Sequence, residues 1–401
     1  MTKKDTLALY GGKPVRDSYL PYGKQWIDDE DIQAVVEVLK SDYITTGPVV
    51  PAFEKAVSEF VGAKYAVAFS SGTAALHATC HVAGIKENDE VITSPLTFAA
   101  SSNCILYMGG SPVFADIDPS TYNISPASIK SLINENTKAI IAVDFTGQPA
   151  EYDEILSFSK KRGIIVIADA AHALGASYKG RLVGSIADMT MFSFHPVKHI
   201  TTGEGGMITT NDEAYYEMLM EYRTHGITRD TMKFKTKDVH ASWYYEMHQL
   251  GFNYRMTDIQ AALGLSQMKK LKMFLEKRRE YVNKYNRAFE GMSQITRPFQ
   301  QEGSTSSWHL YLIRLNFAKL NTNRDELFKA LQEENIGVNV HYIPVHFHPY
   351  YQQLGYKKSI CPQAEKIYQE IITLPLFPKM SDQDVDDVIA GVKKVISYYS
   401  N

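Results

Sequence analysis

The chain has 401 residues, of which 44% are hydrophobic and 22% charged, a composition that excludes wholesale disorder and allows a core large enough for two or three domains. Lysine and arginine number 42 against 45 aspartate and glutamate residues, so the basic excess typical of a nucleic-acid-binding protein is missing. Three cysteines without CxxC spacing argue against a disulfide framework or a thiolate zinc site, and the absence of an apolar signal segment predicts a cytoplasmic location.

Two helices are predicted ahead of the first strand. The acidic residues 28–30 form an N-terminal cap for the first helix. Its predicted core face follows the i, i+3, i+4, i+7 spacing of Ile32, Val35, Val36 and Leu39. The second helix carries Phe53, Val57 and Phe60 on one face and is predicted to end at Gly62.

Seven short apolar runs follow and are predicted to be strands: residues 66–70, 90–94, 112–117, 139–145, 164–170, 190–194 and 206–210. Helical segments such as 149–162 separate several of them. Apolar strands that alternate with helices indicate an α/β fold, with a mostly parallel, seven-stranded sheet covered on both faces. The uncharged stretch from Val91 to Ala115 is long enough to cross a membrane, but its prolines, glycines and polar residues favour a buried strand, loop and helix.

The last third of the chain has a different pattern. A long helix is predicted to begin at Thr257-Asp258 and to run to about Phe289. It is followed by a strand over 309–315, a helix over 324–334, a strand over 337–342 and a final helix from Ser381. We therefore predict a large domain over residues 1–260 and a smaller α+β domain, with its connector helix, over 261–401.

Polar residues stand at the carboxyl ends of several strands, which is where open parallel sheets bind ligands. Residues 70–73 (Ser-Ser-Gly-Thr) lie between a strand and a helix, so they could hold an anion at the helix N-terminus or form an ordinary turn and cap. Asp169 ends an apolar strand and needs a cationic or hydrogen-bonding partner there, unless it caps a helix. His172 is three residues further on and suits either a ligand contact or a core histidine.

Lys198 follows the sixth predicted strand and precedes a glycine-rich turn. A lysine in a desolvated cleft has a lowered pKa and can form a Schiff base. Phe98, at another strand end, suits core packing or a face on which a planar ring stacks. A Schiff-base lysine, a carboxylate for a ring nitrogen, a phosphate cradle and an aromatic plate are together what pyridoxal 5'-phosphate requires.

Several segments carry a resemblance to a known family. They are SDYITTGP at 41–48, FSSGTAALH at 69–77, SPLTFAAS at 94–101, ADAAHALGASYKG at 168–180, FSFHPVKHITTGEGG at 192–206, RTHGI at 223–227 and GFNYRMTDIQAALGLSQ at 251–267. On these motifs the sequence resembles the DegT/StrS family of pyridoxal-phosphate-dependent nucleotide-sugar aminotransferases over essentially its whole length. The resemblance implies the aspartate-aminotransferase-like (type I) fold and a homodimer with shared active sites.

The matched positions imply roles for individual residues. Lys198 matches the catalytic lysine that holds the cofactor, and Asp169 matches the partner of its pyridine nitrogen. The other implied cofactor contacts are His172 beside the ring, Phe98 over it, Gly72, Thr73 and Ser193 on the phosphate, and Asn253 donated to the phosphate by the neighbouring subunit. The implied substrate-lining positions are Tyr22, Asp42, Tyr43, Ile44, Thr45, His341 and Tyr342. A histidine at position 198 would have suggested the sugar dehydratase branch of the family, and the lysine argues against it.

Three segments are most similar to the pseudaminic acid branch of the family: PYGKQWIDDEDIQAVV at 21–36, FSFHPVK at 192–198 and VHYIPVHFHPYYQQLGY at 340–356. This similarity implies L-glutamate as amino donor and a UDP-linked 4-keto-6-deoxy-N-acetylhexosamine as acceptor, giving UDP-4-amino-4,6-dideoxy-N-acetyl-β-L-altrosamine. The alternative acceptors are a UDP-4-keto-pentose, a UDP-bacillosamine precursor and a dTDP-4-keto-6-deoxyhexose.

Other functions fit the sequence less well. His341, His346 and His348 lie within eight residues and suggest zinc, but no acidic or thiol residue accompanies them, so no metal is expected. A non-enzymatic member of the same fold predicts loss of Lys198 or Asp169, and both are present. A desulfurase would want a cysteine on a loop near the motifs, and an α-amino-acid transaminase is distinguished from a sugar transaminase only by assay.

Overall fold

The structure, a computed structural model, describes residues 6–236 and 241–400. Its helices are α1 (Asp29–Lys40), α2 (Val49–Val61), α3 (Gly72–Val82), α4 (Ala100–Tyr107), α5 (Pro126–Leu132), α6 (Tyr152–Ser159), α7 (Glu213–Tyr222), α8 (Asp258–Ala288), α9 (Arg324–Glu333), α10 (Pro349–Gln353), α11 (Pro362–Glu370) and α12 (Asp382–Tyr399). Its strands are β1 (Tyr65–Phe69), β2 (Glu90–Thr93), β3 (Ser111–Phe114), β4 (Thr137–Val143), β5 (Ile165–Asp169), β6 (Ser177–Tyr178), β7 (Arg181–Leu182), β8 (Met189–Ser193), β9 (Gly206–Thr210), β10 (Ile227–Thr228), β11 (Glu246–Met247), β12 (Ile295–Thr296), β13 (Ser304–Thr305), β14 (Tyr311–Leu315) and β15 (Ile371–Leu374).

The central sheet has seven strands in the order β1-β9-β8-β5-β4-β2-β3. These are the seven predicted apolar runs, with boundaries that differ by at most three residues. Five neighbouring strands, β8-β5-β4-β2-β3, run parallel, while β9 is antiparallel to both β8 and β1. The predicted mostly parallel α/β sheet is therefore confirmed.

Alternate residues of the central strands face opposite sides of this sheet, as the strand period requires. Val91 and Ile141 pack with α3 and α4 in one core, whereas Ile92 and Ile140 pack with α6 in another. Both faces of the sheet are thus covered by helices, which explains why its strands are apolar throughout. The stretch 91–115 folds into β2, α4 and β3, and no helix of the described residues is long and apolar enough to span a membrane.

The predicted core face of α1 is wrong. Ile32 and Leu39 are 55% and 56% exposed, whereas Asp31 and Val38 are buried. The carboxylate of Asp31 lies 2.6 Å from the ammonium of Lys270 on α8, so this polar pair points inward. Ile32 and Leu39 of the predicted face are turned outward, while Val35 and Val36 are half-buried. The spacing of apolar residues alone therefore predicts the wrong buried face when a buried ion pair fixes the rotation of the helix about its axis.

The long helix α8 begins where the sequence predicts. Thr257 is its N-cap and accepts a hydrogen bond from the N–H of Gln260, whose side chain in turn accepts from the N–H of Thr257. The buried carboxylate of Asp258 accepts from the N–H groups of Gly47 at 2.7 Å and Val49 at 2.9 Å. These bonds connect the start of α8 to the start of α2.

The C-terminal part is built on the antiparallel sheet β12-β14-β15. Helices α9 and α12 contribute apolar residues to the core beneath it, and Leu7 and Leu20 from the N-terminal segment pack into the same core. The α+β character predicted for this region is present, and the domain division at residue 260 stays a prediction.

The strand predicted over 337–342 is wrong. Within this segment only Asn339 pairs with β15, in an isolated bridge to Thr373, and the N–H of Gly337 instead donates to the carbonyl of Leu20. The backbone of the segment pairs with two different neighbours, Leu20 and Thr373, so it does not form a continuous strand pairing with either.

Candidate active site

A cleft of about 750 Å³ opens at the carboxyl ends of β1, β4, β5 and β8. Ten of the predicted site residues line it: Tyr22, Gly72, Thr73, Phe98, Asp169, His172, Ser193, Lys198, His341 and Tyr342. They come from six separate stretches of the chain, which the sheet and the C-terminal segment bring together at one place.

One end of the cleft is formed by the start of α3. Ser71 is the N-cap and its hydroxyl accepts from the N–H of Ala74 at 3.1 Å, so the turn-and-cap interpretation is confirmed. A Cβ added to Gly72 would lie only 3.2 Å from the Cβ of Ser193 at the end of β8, so the backbone of Gly72 packs closely on that side chain. Gly72, Thr73 and Ser193 all line the cleft, where the free N–H groups at the start of α3 and the Ser193 hydroxyl suit a phosphate.

Asp169 ends β5 and is buried beside the cleft. The hydroxyl of Ser101 donates to its carboxylate at 2.5 Å, and the N–H of Ala171 donates at 3.2 Å. Burial raises the pKa of Asp169, while these two hydrogen bonds and the positive charge of Lys198 act in the opposite direction. The next described element after Asp169 is the strand β6, so no helix begins directly after this residue and it is not a helix cap.

Lys198 lies on the loop that connects the antiparallel strands β8 and β9. This loop is closed by a hydrogen bond from the N–H of Phe194 to the carbonyl of Gly205 at 2.9 Å, and the N–H of Lys198 donates to the carbonyl of His195 at 2.8 Å. Burial lowers the pKa of Lys198 to about 8, although the carboxylate of Asp169 raises it. Roughly a tenth of the lysine is therefore neutral at pH 7, far more than for an exposed lysine, and the neutral form acts as a nucleophile or a base.

His172 and Tyr342 form the wall of the cleft next to Asp169. The Nε2 of His172 is 3.1 Å from the hydroxyl of Tyr342, and the ring of Tyr342 lies 6.2 Å from that of Phe98. Burial lowers the pKa of His172 well below its usual value, and the positive charge of Lys198 lowers it further, so the imidazole is neutral. Its Nδ1 is buried without a hydrogen-bond partner among the described residues.

Tyr22 and His341 stand next to Tyr342 in the cleft. The rings of Tyr22 and His341 are 5.3 Å apart, and the Nδ1 of His341 is 2.9 Å from the hydroxyl of Thr373. Burial, followed by the charge of Lys198, lowers the pKa of His341 to about 3. A neutral imidazole and a phenol thus offer hydrogen bonds to an uncharged polar ligand such as a sugar.

Five predicted site residues do not line the cleft of a single chain: Asn253, Asp42, Tyr43, Ile44 and Thr45. Asn253 is exposed and forms an isolated bridge with Thr224, while Thr45 forms one with Thr257 at the start of α8. These residues lie on the surface that flanks the N-terminus of α8.

His341, His346 and His348, which are close in sequence, have different neighbours in the structure. His341 bonds to Thr373, the buried His346 lies 2.9 Å from the carboxylate of Glu365, and His348 lines the cleft. The described residues contain no group of three or more His, Cys, Asp or Glu side chains arranged to hold a metal ion.

Two residues that contact predicted site residues are not apparent in the sequence. Ser101 lies inside the SPLTFAAS motif but nothing in that motif indicates that its hydroxyl faces Asp169, 68 residues away. His309 lines the cleft with its ring centroid 4.3 Å from that of His172, and it appears in the sequence only as the first residue of a predicted strand.

These groups fit pyridoxal 5'-phosphate. The free N–H groups at the start of α3 suit its phosphate, the buried carboxylate of Asp169 suits a protonated ring nitrogen, and the lowered pKa of Lys198 suits attack on its aldehyde. The Nδ1 of His172, which has no hydrogen-bond partner among the described residues, adds a polar atom to the wall of the same cleft. The donor set therefore matches the phosphate, the ring nitrogen and the aldehyde of one molecule.

Comparison with known proteins gives consistent matches. The model of the DegT/DnrJ/EryC1/StrS aminotransferase family matches residues 25–393. The spore coat polysaccharide biosynthesis protein SpsC of Bacillus subtilis is 44% identical over 383 residues, which cover 95% of this chain and 98% of that protein.

Solved structures match with the same coverage. Helicobacter pylori PseC, an aminotransferase involved in the biosynthesis of pseudoaminic acid, superposes with a TM-score of 0.88 at 34% identity and covers 95% of this chain and 100% of its own. Spr1654 of Streptococcus pneumoniae, in its PLP-form, superposes with a TM-score of 0.88 at 32% identity and covers 95% of this chain and 99% of its own.

Proposed function

The chain belongs to the DegT/DnrJ/EryC1/StrS aminotransferase family, and from this premise we propose that it transfers the amino group of L-glutamate to C4 of a UDP-linked 4-keto-6-deoxy-N-acetylhexosamine. The product is UDP-4-amino-4,6-dideoxy-N-acetyl-β-L-altrosamine, an intermediate of pseudaminic acid biosynthesis. The predicted type I fold, the sugar aminotransferase class and the pyridoxal-phosphate cofactor are confirmed by the family match and the related structures.

The observation that carries this proposal is the pair of Lys198 and Asp169 in one cleft. When bound, pyridoxal phosphate supplies an electron sink for the negative charge that develops on the amino donor. Gly72, Thr73 and Ser193 would hold its phosphate, and Asp169 would keep a proton on its ring nitrogen. The Nζ of Lys198 would take the proton from Cα of the donor and would later donate a proton at C4 of the acceptor sugar, because a pKa of about 8 lets the amine act as base and as acid near neutral pH.

The acceptor sugar is supported by the polar groups on the C-terminal side of the cleft. His341 and Tyr342 offer neutral hydrogen-bonding groups, and both lie in the segment 340–356 that is similar to the pseudaminic acid branch. The likeness to PseC over 95% of this chain supports the same branch. A buried site that pairs with an N-acetyl or hydroxyl group rejects an analogue that lacks it, by up to about 10⁴-fold.

A second candidate is a different nucleotide 4-keto sugar. The chain is 44% identical to SpsC, a spore coat polysaccharide biosynthesis protein, which keeps sugars of other polysaccharides among the candidates. The chemistry at Lys198 and Asp169 is the same in both candidates, so they differ only in the acceptor.

A panel of UDP- and dTDP-linked 4-keto sugars separates the two candidates. We expect glutamate alone to bleach the visible band of the bound cofactor, and the UDP-4-keto-6-deoxy-N-acetylhexosamine with L-arabino configuration to restore it. Its kcat/KM should exceed that of every other sugar by about tenfold or more, because unmatched polar groups are costly in a buried site. A comparable or higher kcat/KM with the D-xylo epimer or the UDP-4-keto-pentose would overturn the acceptor and leave the transaminase intact.

We also propose that the active unit is a homodimer with both sites at the interface. A nucleotide diphosphate is anionic, yet Lys198 is the only lysine or arginine among the described residues that line the cleft. Asn253 and the segment 42–45 lie outside that cleft, although the family resemblance assigns them to the site. In a homodimer, the second copy of the chain would supply Asn253, and cationic side chains for the diphosphate, at the open side of the cleft.

The surface next to Asn253 supports this arrangement. Tyr107 and Phe252 are 55% and 37% exposed and pack against His77 at ring distances of 5.3 and 5.2 Å, and Leu250 nearby is 77% exposed. Exposed aromatic clusters of this kind are typical of protein–protein interfaces.

Subunit mixing tests the shared site. Neither Lys198→Ala nor Asn253→Ala protein should be active at a cofactor concentration too low to saturate the Asn253→Ala dimer. After random exchange half of the dimers are mixed, and each contains one site with both native residues, so about a quarter of the wild-type activity should return. Exchange is verified with differently tagged subunits, and a mixture that exchanges but stays inactive would contradict the sharing of sites.

A further inference from the structure

His172 is held by groups that come from the C-terminal part of the chain. The hydroxyl of Tyr342 lies 3.1 Å from its Nε2. The ring of His309 packs against it with the centroids 4.3 Å apart and the planes tilted by 34°. The residue next to the predicted cofactor ring is therefore fixed along one edge and on one face.

The position of His309 is set by its backbone. Its N–H donates to the carbonyl of Thr146 at 2.9 Å, and its carbonyl accepts from the guanidinium of Arg278 at 3.1 Å. Arg278 is buried and also donates to the carbonyl of Trp308. The loop that carries His309 is thus attached to the β4 side of the sheet and to α8 at the same time.

The ring of His309 contacts its neighbours by packing and not by hydrogen bonds. Neither ring nitrogen makes a hydrogen bond among the described residues, and Nδ1 is buried without a partner. Its close ring neighbours are His172 at 4.3 Å and His199 at 5.4 Å. Burial, followed by the charges around it, lowers the pKa of His309 well below its usual value, so the ring is neutral and does not repel its neighbours.

We propose that His309 is a positioning residue whose flat ring fixes the ring plane of His172 beside the cofactor. The backbone of His309 is itself held by its hydrogen bonds to Thr146 and Arg278. The inference rests on the proposed role of His172 and extends it to a residue outside the recognised motifs. A misplacement of about 1 Å next to the reacting atoms can cost about 10²-fold in rate, so such a spacer affects turnover without touching the reacting atoms.

Three substitutions at one position separate a flat spacer from simple filling of space. Phenylalanine keeps a flat ring and removes the nitrogens, leucine fills space without a flat face, and alanine removes both. His346→Ala is the matched control, because His346 is also buried but contacts Glu365 outside the cleft. Unfolding midpoints identify variants that have lost the fold, and the leucine variant keeps the test informative if alanine does not fold.

The readouts are the pH titration of the visible cofactor band without substrate, the affinity of the apoprotein for pyridoxal phosphate, and kcat and KM. We expect His309→Ala and His309→Leu to shift the titration midpoint and to lower kcat by about ten- to a hundredfold, with KM for the sugar within about twofold. His309→Phe should recover kcat to within about threefold of wild type, and His346→Ala should leave the titration unchanged.

Two results would overturn the inference: a His309→Ala or His309→Leu protein with the wild-type titration and kcat, or a folded His309→Phe protein as impaired as His309→Leu. His172→Ala is measured in parallel. An unchanged spectrum in that variant would contradict the proposed place of His172 beside the cofactor, whereas a changed spectrum with His309 variants that behave like wild type would contradict only the spacer.

Discussion

Lys198→Ala should lose covalent attachment of the cofactor and essentially all turnover. The lysine is both the nucleophile for the cofactor aldehyde and the base at Cα of the donor, so we expect kcat to fall by more than about 10⁴-fold. The fold should survive, because the loop that carries Lys198 is held by backbone hydrogen bonds from the N–H groups of Phe194 and Thr202.

Borohydride reduction of the holoenzyme followed by peptide mapping measures the attachment site. The label should appear on the peptide that contains Lys198 and be missing from the Lys198→Ala protein. Lys179→Ala is the control, because Lys179 is an exposed lysine paired with Asp153 far from the cleft. A label on any other lysine of the wild-type protein would contradict the assignment.

The wild-type apoprotein gives a second measurement of the same lysine. Only the neutral amine attacks the aldehyde, and burial lowers the pKa of Lys198 to about 8. Below this pH the neutral fraction, and with it the rate of cofactor capture, should rise by about tenfold per pH unit, and above it the rate should level off. An ordinary exposed lysine would show the same rise continuing to about pH 10.

The central sheet could be predicted from sequence because its information is local. The inner strands are buried on both faces, so a short apolar run such as 164–170 is readily interpreted as a strand of a covered sheet. The caps of α8 and α12 are equally local, since Thr257 and Ser381 bond to residues three positions further on. Such features need no knowledge of the rest of the fold.

The errors arose where a distant partner decides the structure. The rotation of α1 depends on the ion pair between Asp31 and Lys270. All strands of the central sheet lie between these two residues in the sequence. The segment 337–342 has the alternation of a strand but its backbone partners, Leu20 and Thr373, belong to different segments.

The same limit applies within the site. Lys198 and Asp169 could be proposed from their positions at strand ends, because parallel strands bring their carboxyl ends to one edge. Ser101 and His309 could not, since only the folded chain brings one to the carboxylate of Asp169 and the other to the ring of His172. Residues that support a site act through geometry that no local pattern contains.

Asp169→Asn should leave the cofactor attached but lower kcat by about 10³-fold. A carboxylate stabilises the proton on the ring nitrogen, and an amide of the same shape does not, so the ring becomes a weaker electron sink. The loss corresponds to the cost of about 3–5 kcal/mol for removing one partner of a buried charge pair. Lys198 and the phosphate cradle at Gly72 remain, so borohydride labelling at Lys198 should persist and separate this variant from Lys198→Ala.

Substitutions at two residues near Asp169 show whether the effect is specific to its carboxylate. Ser101→Ala removes one hydrogen bond that favours the ionised carboxylate, so burial should raise the pKa of Asp169 further and kcat should fall by about tenfold. Asp144→Asn is the matched control: Asp144 is a buried carboxyl group at the end of the neighbouring strand, but it bonds to Tyr152 and Ala150 rather than to the cleft. Burial raises the pKa of Asp144 to about 7, and the charge of the nearby Asp169 carboxylate contributes to this shift. We expect kcat of Asp144→Asn to fall by less than about tenfold, because this carboxyl group does not line the cleft. If Asp169→Asn kept more than about a tenth of the wild-type kcat, or lost no more than Asp144→Asn, Asp169 would not be the group that holds the proton on the ring nitrogen.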